Sequence, residues 1–310
     1  MNEQGLNLYG TDLLGEPIEP PSKGILADRF LIPPFSVLNA REGWWQERKR
    51  AWVLLGIQSE LGREGLGDTC AAQTVDYIAG RGGQGGGEAG SLFDPVICEL
   101  IYRWFCPPDG QVLDPFAGGS VRGIVAAMLG MKYWGCDLSA RQIEANEQQR
   151  VAICSNSALW WEHGDAIDLV PTAPLADLIF SCPPYGDLER YSDDPRDLST
   201  MEYHTFVAAL GRIVLRCHKQ LRDNRFACFV VGEFRDKKGF YRNFVGDTTR
   251  LFLDAGFKYY NEAILVTSVG SLPIRASKQF SAGRKLGKTH QNILIFVKGD
   301  PKAATRAIIS

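Results

Sequence analysis

The 310-residue chain lacks a one-sided charge: 34 lysines and arginines stand against 36 acids, a net charge of −2. That argues against a uniformly basic nucleic-acid coat and against an acidic, unfolded chain. No apolar run approaches the ~18 residues that a membrane span needs. The opening stretch MNEQGLNLYGTDLLGEPIEP has no basic segment followed by an apolar one, which predicts no signal peptide. The eight cysteines form no C-x-x-C pair, and His163, His204, His218 and His290 do not cluster with them. Neither a zinc site nor a disulfide framework is expected, and no metal is assigned. Most of these cysteines sit in apolar stretches, as small hydrophobes do in a reduced compartment, so a cytoplasmic protein is expected. The glycine turn at 118–119 carries neither G-x-G-x-x-G nor a following G-K-[ST], so it is not the nicotinamide fingerprint or a P-loop. There is no internal repeat.

What is present is an ordinary globular balance, 45% hydrophobic and 23% charged, able to bury a full core. The length suits one large domain, or one domain plus a sizeable extension. Residues 1–40 are broken by Pro17, Pro20, Pro21, Pro33 and Pro34. Residues 41–60 predict a helix with Trp45, Trp52 and Leu55 on one face. Trp44, Trp45 and Trp52 lie beside Arg48, Lys49 and Arg50, so this helix either packs on the main domain or stacks on nucleic acid. GRGGQGGGEAG at 80–90 is the strongest flexibility signal, and it divides an N-terminal extension (1–90) from a main domain (91–310).

Beyond it, strands and helices alternate. Helices are predicted at 95–105, 120–130, 140–153, 200–221 and 242–255. Strands are predicted at 111–117, 132–138, 158–163, 176–181, in RFACFVVGEF, and at 259–268 and 292–298. This pattern implies an α/β fold: a mostly parallel seven-stranded sheet with helices on both faces. No clear helix joins the last two strands, so they are expected to form an antiparallel edge pair around a long loop. Residues 263–310 carry 8 basic side chains and 1 acid, with no acid from Ala263 to Gly299. Arg275, Lys278, Arg284, Lys285 and Lys288 fall in that loop and suit a polyanion's phosphates, or merely solvent.

Four short stretches carry chemistry. Asp114-Pro115-Phe116-Ala117-Gly118-Gly119-Ser120 ends a strand and opens a helix. Small residues let a ligand approach the backbone there, and the helix start offers N–H donors, though a plain glycine turn would look the same. Asp137-Leu138 ends the next strand, where an acid can accept both hydroxyls of a ribose; Ser139 can equally cap the following helix. Asp165-Ala166 follows the third strand, where Asp165 can accept from an adenine amine or close a turn. Ser181-Cys182-Pro183-Pro184-Tyr185 follows a buried strand. Two prolines fix the backbone, so carbonyls point in a set direction and can accept from an amino group. Tyr185 offers a face on which a base can stack. A rigid turn at a strand end is the alternative.

Together these stretches resemble the S-adenosylmethionine-dependent amino-methyltransferases of DNA, whose signatures are D-P-F-x-G-x-G and [D/N/S]-P-P-[Y/F]. Asp114 to Gly119 carries the first and Cys182 to Tyr185 the second, with Cys182 replacing the usual first residue. Gly90 to Pro95 is similar to the family's G-x-x-x-T-P, with Asp94 in place of Thr. PPFSVLNAREGWWQERKRAW and RKLGKTHQNILIFVKGD also look like orphan methyltransferases of bacteria and bacteriophages. The resemblance implies a Rossmann-like methyltransferase fold over residues 90–300. It implies that Asp114 and the backbone of Phe116–Gly119 hold the methionine part of the cofactor, Asp137 the ribose, and Asp165 with Ala166 the adenine. Phe93 and Asp94 would border that pocket. Cys182 and the carbonyl of Pro183 would receive the target amine, with Tyr185 stacked on an extruded base and Ser181 an alternative polar group.

The reaction implied is methyl transfer to cytosine N4 or adenine N6 in double-stranded DNA, by a protein that is often a homodimer. A thiol is a weak acceptor, and the size of Cys182, close to that of serine, leans toward cytosine. RNA or protein-amide methylation, and a relative that binds DNA without catalysis, stand beside this reading.

Overall fold

A computed structural model describes residues 25–58, 93–186, 191–270 and 272–309. Its centre is an eight-stranded sheet: β1 (Val37–Asn39), β2 (Gln111–Asp114), β3 (Lys132–Asp137), β4 (Leu159–His163), β5 (Ala176–Ser181), β6 (Leu221–Val231), β7 (Lys258–Val266) and β8 (His290–Lys298). The order across the sheet is β1-β7-β8-β6-β5-β2-β3-β4. Only β8 runs antiparallel, to both β6 and β7. The molecule is a mixed α/β, Rossmann-like fold, mostly parallel, with an antiparallel pair toward one edge.

The helices are α1 (Ile25–Phe30), α2 (Gly43–Leu54), α3 (Pro95–Phe105), α4 (Val121–Met128), α5 (Ala140–Cys154), α6 (Ala166–Leu169), α7 (Tyr203–Gln220), α8 (Phe244–Asp254), α9 (Leu272–Gly283) and α10 (Pro301–Ile309). Local chemistry sets several boundaries. Pro95 occupies the first turn of α3, where its missing N–H costs nothing, and Asp94 caps it by accepting from Val96 N. Ser139 Oγ caps α5 by accepting from Gln142 N at 3.2 Å. The Ala255-Gly256 stop ends α8, with Gly256 at φ +104°. β6 is buried throughout its second half because β5 and β8 flank it and helices cover both faces.

Three expectations need correction. The sheet has eight strands, because Val37–Asn39 adds a parallel edge strand to β7. Three residues after a proline pair are too few to show an alternating pattern. Residues 272–283 are helical, where a loop was expected. Pro273 suits a first turn, and Ala276, Lys278 and Gln279 favour helix. A helix, α10, also follows the last strand.

The 41–60 helix shortens to α2 and packs on α3. Trp45 and Trp52 are fully buried in the same core as Val96, Ile97 and Leu100. Glu99, itself fully buried, accepts from Arg48 Nε at 2.6 Å, Trp52 Nε1 at 2.9 Å and Arg103 Nε at 2.9 Å. Burial works to raise the pKa of this carboxyl, but the Arg48 hydrogen bond and both arginine charges outweigh it and hold the pKa down. The tryptophans and Arg48 are therefore spent on docking this helix and do not face outward. The glycine-rich 80–90 stretch lies outside the described residues.

Candidate active site

The parallel strands end side by side. Asp114 pairs in register with Gly135, two residues before the end of β3, and Asp137 pairs with His163. After β2 the chain winds to β3 and β4 on one side, then crosses to β5 and β6 on the other. The direction of winding therefore reverses between β2 and β5. A crevice opens at such a reversal, outside the carboxyl ends of the strands. The loops after Asp114 and Ser181 flank it.

Asp114 ties these loops together. It is fully buried, and its Oδ1 accepts from Phe116 N at 3.2 Å and Ser181 Oγ at 2.5 Å. Its Oδ2 accepts from Arg122 Nε at 2.5 Å and Tyr133 OH at 2.6 Å. Arg122, near the start of α4, also donates to the carbonyls of Phe116 and Ala117 and lies over the Phe93 ring, 4.5 Å from its centroid. Burial works to lower the pKa of this guanidinium, but Asp114 first, then Tyr133 and Cys182, push it up and keep it charged. Ser181 is likewise fully buried, its hydroxyl given to Asp114.

The turn after Asp114 is held from the other side as well. Gly118 lies at φ +51°, in the left-handed region that disfavours a side chain. Its N–H donates to Asp137 Oδ2 at 3.0 Å, and its carbonyl accepts from Asn146 Nδ2 of α5 at 2.7 Å. Gln142 holds Asn146 in turn, at 3.0 Å. Pro115 accepts from Cys136 Sγ. Gly119 leads into Ser120, whose Oγ is buried without a hydrogen-bond partner among the described residues. Asp137 stands half-buried at the end of β3, with Oδ1 accepting from Ser139 N at 2.8 Å. The Leu138 carbonyl meets His163 Nε2 at 3.0 Å. Asp165 caps α6 by accepting from Ile167 N at 2.8 Å, and Ala166 is buried behind it. Asp94 is occupied elsewhere, accepting from Trp45 Nε1 at 3.1 Å and pairing with Lys49 at 3.3 Å. Phe93 packs edge-on against Phe180.

Across the crevice the chemistry changes. Cys182 is half-buried, with Sγ 4.0 Å from Tyr185 OH. Pro183 is buried and Pro184 half-buried. The Tyr185 ring packs edge-on against Phe234 and Phe244, and its hydroxyl accepts from Gln291 Nε2 at 2.8 Å. Burial keeps this phenol protonated, its pKa pushed well up. Lys288 reaches to the same corner: a side chain built on Gly232 would meet both Lys288 Cε and the Tyr185 ring. Its Nζ lies 3.2 Å from His290 Nε2, and burial lowers the pKa of each. Lys285 lies against Gly239. Lys278 is exposed on α9, and Arg284 follows that helix with its guanidinium over Phe280. Arg275 lies within α9.

The 186–199 stretch, GDLERYSDDPRDLS, is rich in acids. Asp187 and Glu189 lie outside the described residues. Asp194 pairs with Arg196 at 2.7 Å, and Asp197 accepts from Ser192 Oγ and Ser199 N.

The structure thus gathers the predicted loops and adds Arg122, Asn146, Gln291 and Glu233, which sequence reasoning missed. Glu233 accepts from Phe244 N and Val245 N and so caps α8. Arg122 left one trace: it is the sole charge in the apolar helix VRGIVAAM. The others act over long range and left none. Among the described residues no cluster of three metal-ligating side chains occurs, and no helix is long and apolar enough to cross a membrane.

No protein-family model matches the chain, and no curated protein does. Solved structures with a similar fold include TrmN from Thermus thermophilus, at 15% identity and TM-score 0.46, covering 66% of this chain and 49% of that one. Magnesium protoporphyrin IX methyltransferase from Synechocystis is similar at 13% identity and TM-score 0.45, covering 76% and 87%. A structure described as a DNA modification methylase from Thermus thermophilus is similar at 19% identity and TM-score 0.34, covering 44% and 51%.

Proposed function

We propose that this chain is an S-adenosylmethionine-dependent methyltransferase acting on the exocyclic amine of a base extruded from double-stranded DNA. The observation that carries this reading is the Asp114–Ser181 hydrogen bond at the strand-order reversal, which sets the Gly118 turn beside the Cys182–Tyr185 turn. A cofactor loop and an amine-receiving loop joined through one carboxylate suit a transfer between two bound molecules, because proximity is the main thing such a reaction needs.

The residues present fit that cofactor. A turn bent by a positive-φ glycine allows close approach, Ser120 Oγ is a buried polar atom without a partner among the described residues, and Asp137 stands half-buried at the end of β3. Asp137 would take the ribose, Asp165 and Ala166 the adenine, and the backbone of Phe116–Gly119 the methionine part. Asp114 is saturated by four donors, so its role is to position both loops. When bound, the cofactor supplies an electrophilic methyl group on a positive sulfonium. The protein supplies placement. A base amine is a poor nucleophile because its lone pair is delocalised into the ring. Acceptors at Cys182 and the Pro183 carbonyl would take its N–H bonds and favour a pyramidal nitrogen. Tyr185, fixed by Gln291 and two phenylalanines, would hold the ring. The acid-free run from Ala263 to Gly299 favours a polyanion over a protein substrate.

The test is to incubate the protein with labelled S-adenosylmethionine and DNA or RNA, and to identify modified nucleosides by mass spectrometry. N4-methylcytosine or N6-methyladenine in DNA is expected. Label on RNA alone, or on no nucleic acid, would overturn the reading.

A further inference from the structure

β6 continues beyond Val231 into a hairpin that the average charge of its surroundings conceals. Residues 235–242, RDKKGFYR, hold four basic side chains and one acid. The hairpin is well tied. Arg242 N donates to the Phe234 carbonyl at 3.0 Å, and Asp236 N to the Phe240 carbonyl at 2.8 Å. Arg235 bridges to Tyr241, donates to the Gly239 carbonyl at 2.9 Å and covers the Tyr241 ring, 4.0 Å from its centroid. The single acid is turned inward: Asp236 Oδ1 accepts from Phe240 N at 2.9 Å, and these backbone bonds hold its carboxyl below the usual range. Gly239 lies at φ +94°, and Lys285 from the acid-free segment lies against it.

Two features give this hairpin a direction. Its root, Phe234, is buried against Tyr185, with ring centroids 6.3 Å apart. Its turn carries Phe240, 70% exposed, and Tyr241, 48% exposed. Phe240 lies two residues beyond the rung closed by Phe234 and Arg242, roughly 7 Å of extended chain. A bare aromatic ring on a rigid cationic hairpin costs solubility and adds nothing to the core. Beside a ring that receives an extruded base, it is placed to fill the gap that the base leaves in the stack.

We propose that the 235–242 hairpin, with Lys285 and Lys288, grips the phosphate backbone of duplex DNA and sets Phe240 against its base stack as a wedge. This rests on the reading of Tyr185 as the base-receiving residue. Charge complementarity selects the partner: Lys237, Lys238, Lys285 and Lys288 would meet phosphates, and the aromatic tip would meet bases.

The test uses the full chain and a labelled DNA duplex of mixed sequence, with affinity measured across a salt series. Phe240→Ala should weaken binding about tenfold, as the loss of one stacked ring does, with an unchanged salt dependence. Phe240→Trp should restore it. The double variant Lys237→Ala/Lys238→Ala should lower the slope of log affinity against log salt by about 2, one phosphate contact for each lysine. Duplex binding by both Ala variants equal to that of the unaltered chain would overturn the grip. So would preference for vesicles of anionic phosphatidylglycerol over DNA, with the same loss in Phe240→Ala. Two results separate this proposal from the methyl-transfer reading. Weakened duplex binding in the variants, with no methylated nucleoside from the unaltered chain, supports the grip and sinks that reading. Methylated DNA from the unaltered chain and from all variants at equal rates does the reverse.

Discussion

Carboxylates and glycine turns end the strands on one side of the β2–β5 crevice; aromatic rings and cations line the other. On the first side stand Asp114, Asp137 and Asp165, bonded to the backbone of the turns they shape. On the second stand Tyr185, Phe234 and Phe244, with Lys288 and His290 entering where β8 begins. Glu233, an acid beside these rings, is given to the first amides of α8. The contrast fits the proposal that the crevice takes two different molecules. Half-buried carboxylates suit sugar hydroxyls and a positive sulfonium; rings and ammonium groups suit a base and phosphates. Asp114 belongs to both sides, because it holds Phe116 N and Ser181 Oγ on one oxygen.

The largest predicted effect comes from removing that shared carboxylate. Asp114→Ala strands the buried Arg122 guanidinium and should cost about 3–5 kcal/mol of folding stability, with cofactor binding lost alongside. Glu99→Ala is the matched control, since it strands Arg48 in the same way but behind α3, away from the crevice. It should cost a similar amount and leave cofactor affinity unchanged. Chemical unfolding and calorimetric titration measure both, and equal losses of cofactor affinity would erase the distinction between hub and clasp. Glu99 also carries a pH signature. Its pKa is depressed in the folded protein, so it contributes stability above the unfolded value. That contribution disappears as pH falls below the ordinary glutamate range and through the depressed folded value. In Glu99→Gln this part of the acid sensitivity should vanish.

A smaller effect tests the acidic side alone. Asp137→Ala should reduce cofactor affinity about ten- to hundredfold, the worth of hydrogen bonds to a charged acceptor, roughly 1.5–3 kcal/mol. Duplex binding should stay as it was. A parallel loss of duplex binding would mean that the two sides are not separate.

Much of this division is legible in the chain itself. The acidic side follows from D-P-F-A-G-G and Asp137 because each sits where a strand period gives way to a helix start. The aromatic side is legible only at Tyr185, since Phe234, Phe244 and Gln291 come from distant elements and carry no local punctuation. β1 escapes notice because three residues cannot display a period. The hairpin at 235–242 escapes because its cations lie within a stretch, 91–262, whose acids outnumber its bases 23 to 18. The helix at 272–283 escapes because a basic run without acids reads as solvated. Asp114 shows the opposite limit. Its position is plain, but its saturation by Arg122, Tyr133 and two further donors depends on contacts that only folding creates.

The central claim is that cofactor and base occupy opposite sides of one crevice, and Tyr185→Ala tests it most directly. S-adenosylmethionine affinity and methyl transfer to DNA would be measured on the same preparation. Transfer should fall about ten- to hundredfold or more with the lost stacking, while cofactor affinity changes by no more than a few-fold. An equal fall in both would place Tyr185 on the cofactor side and contradict the account.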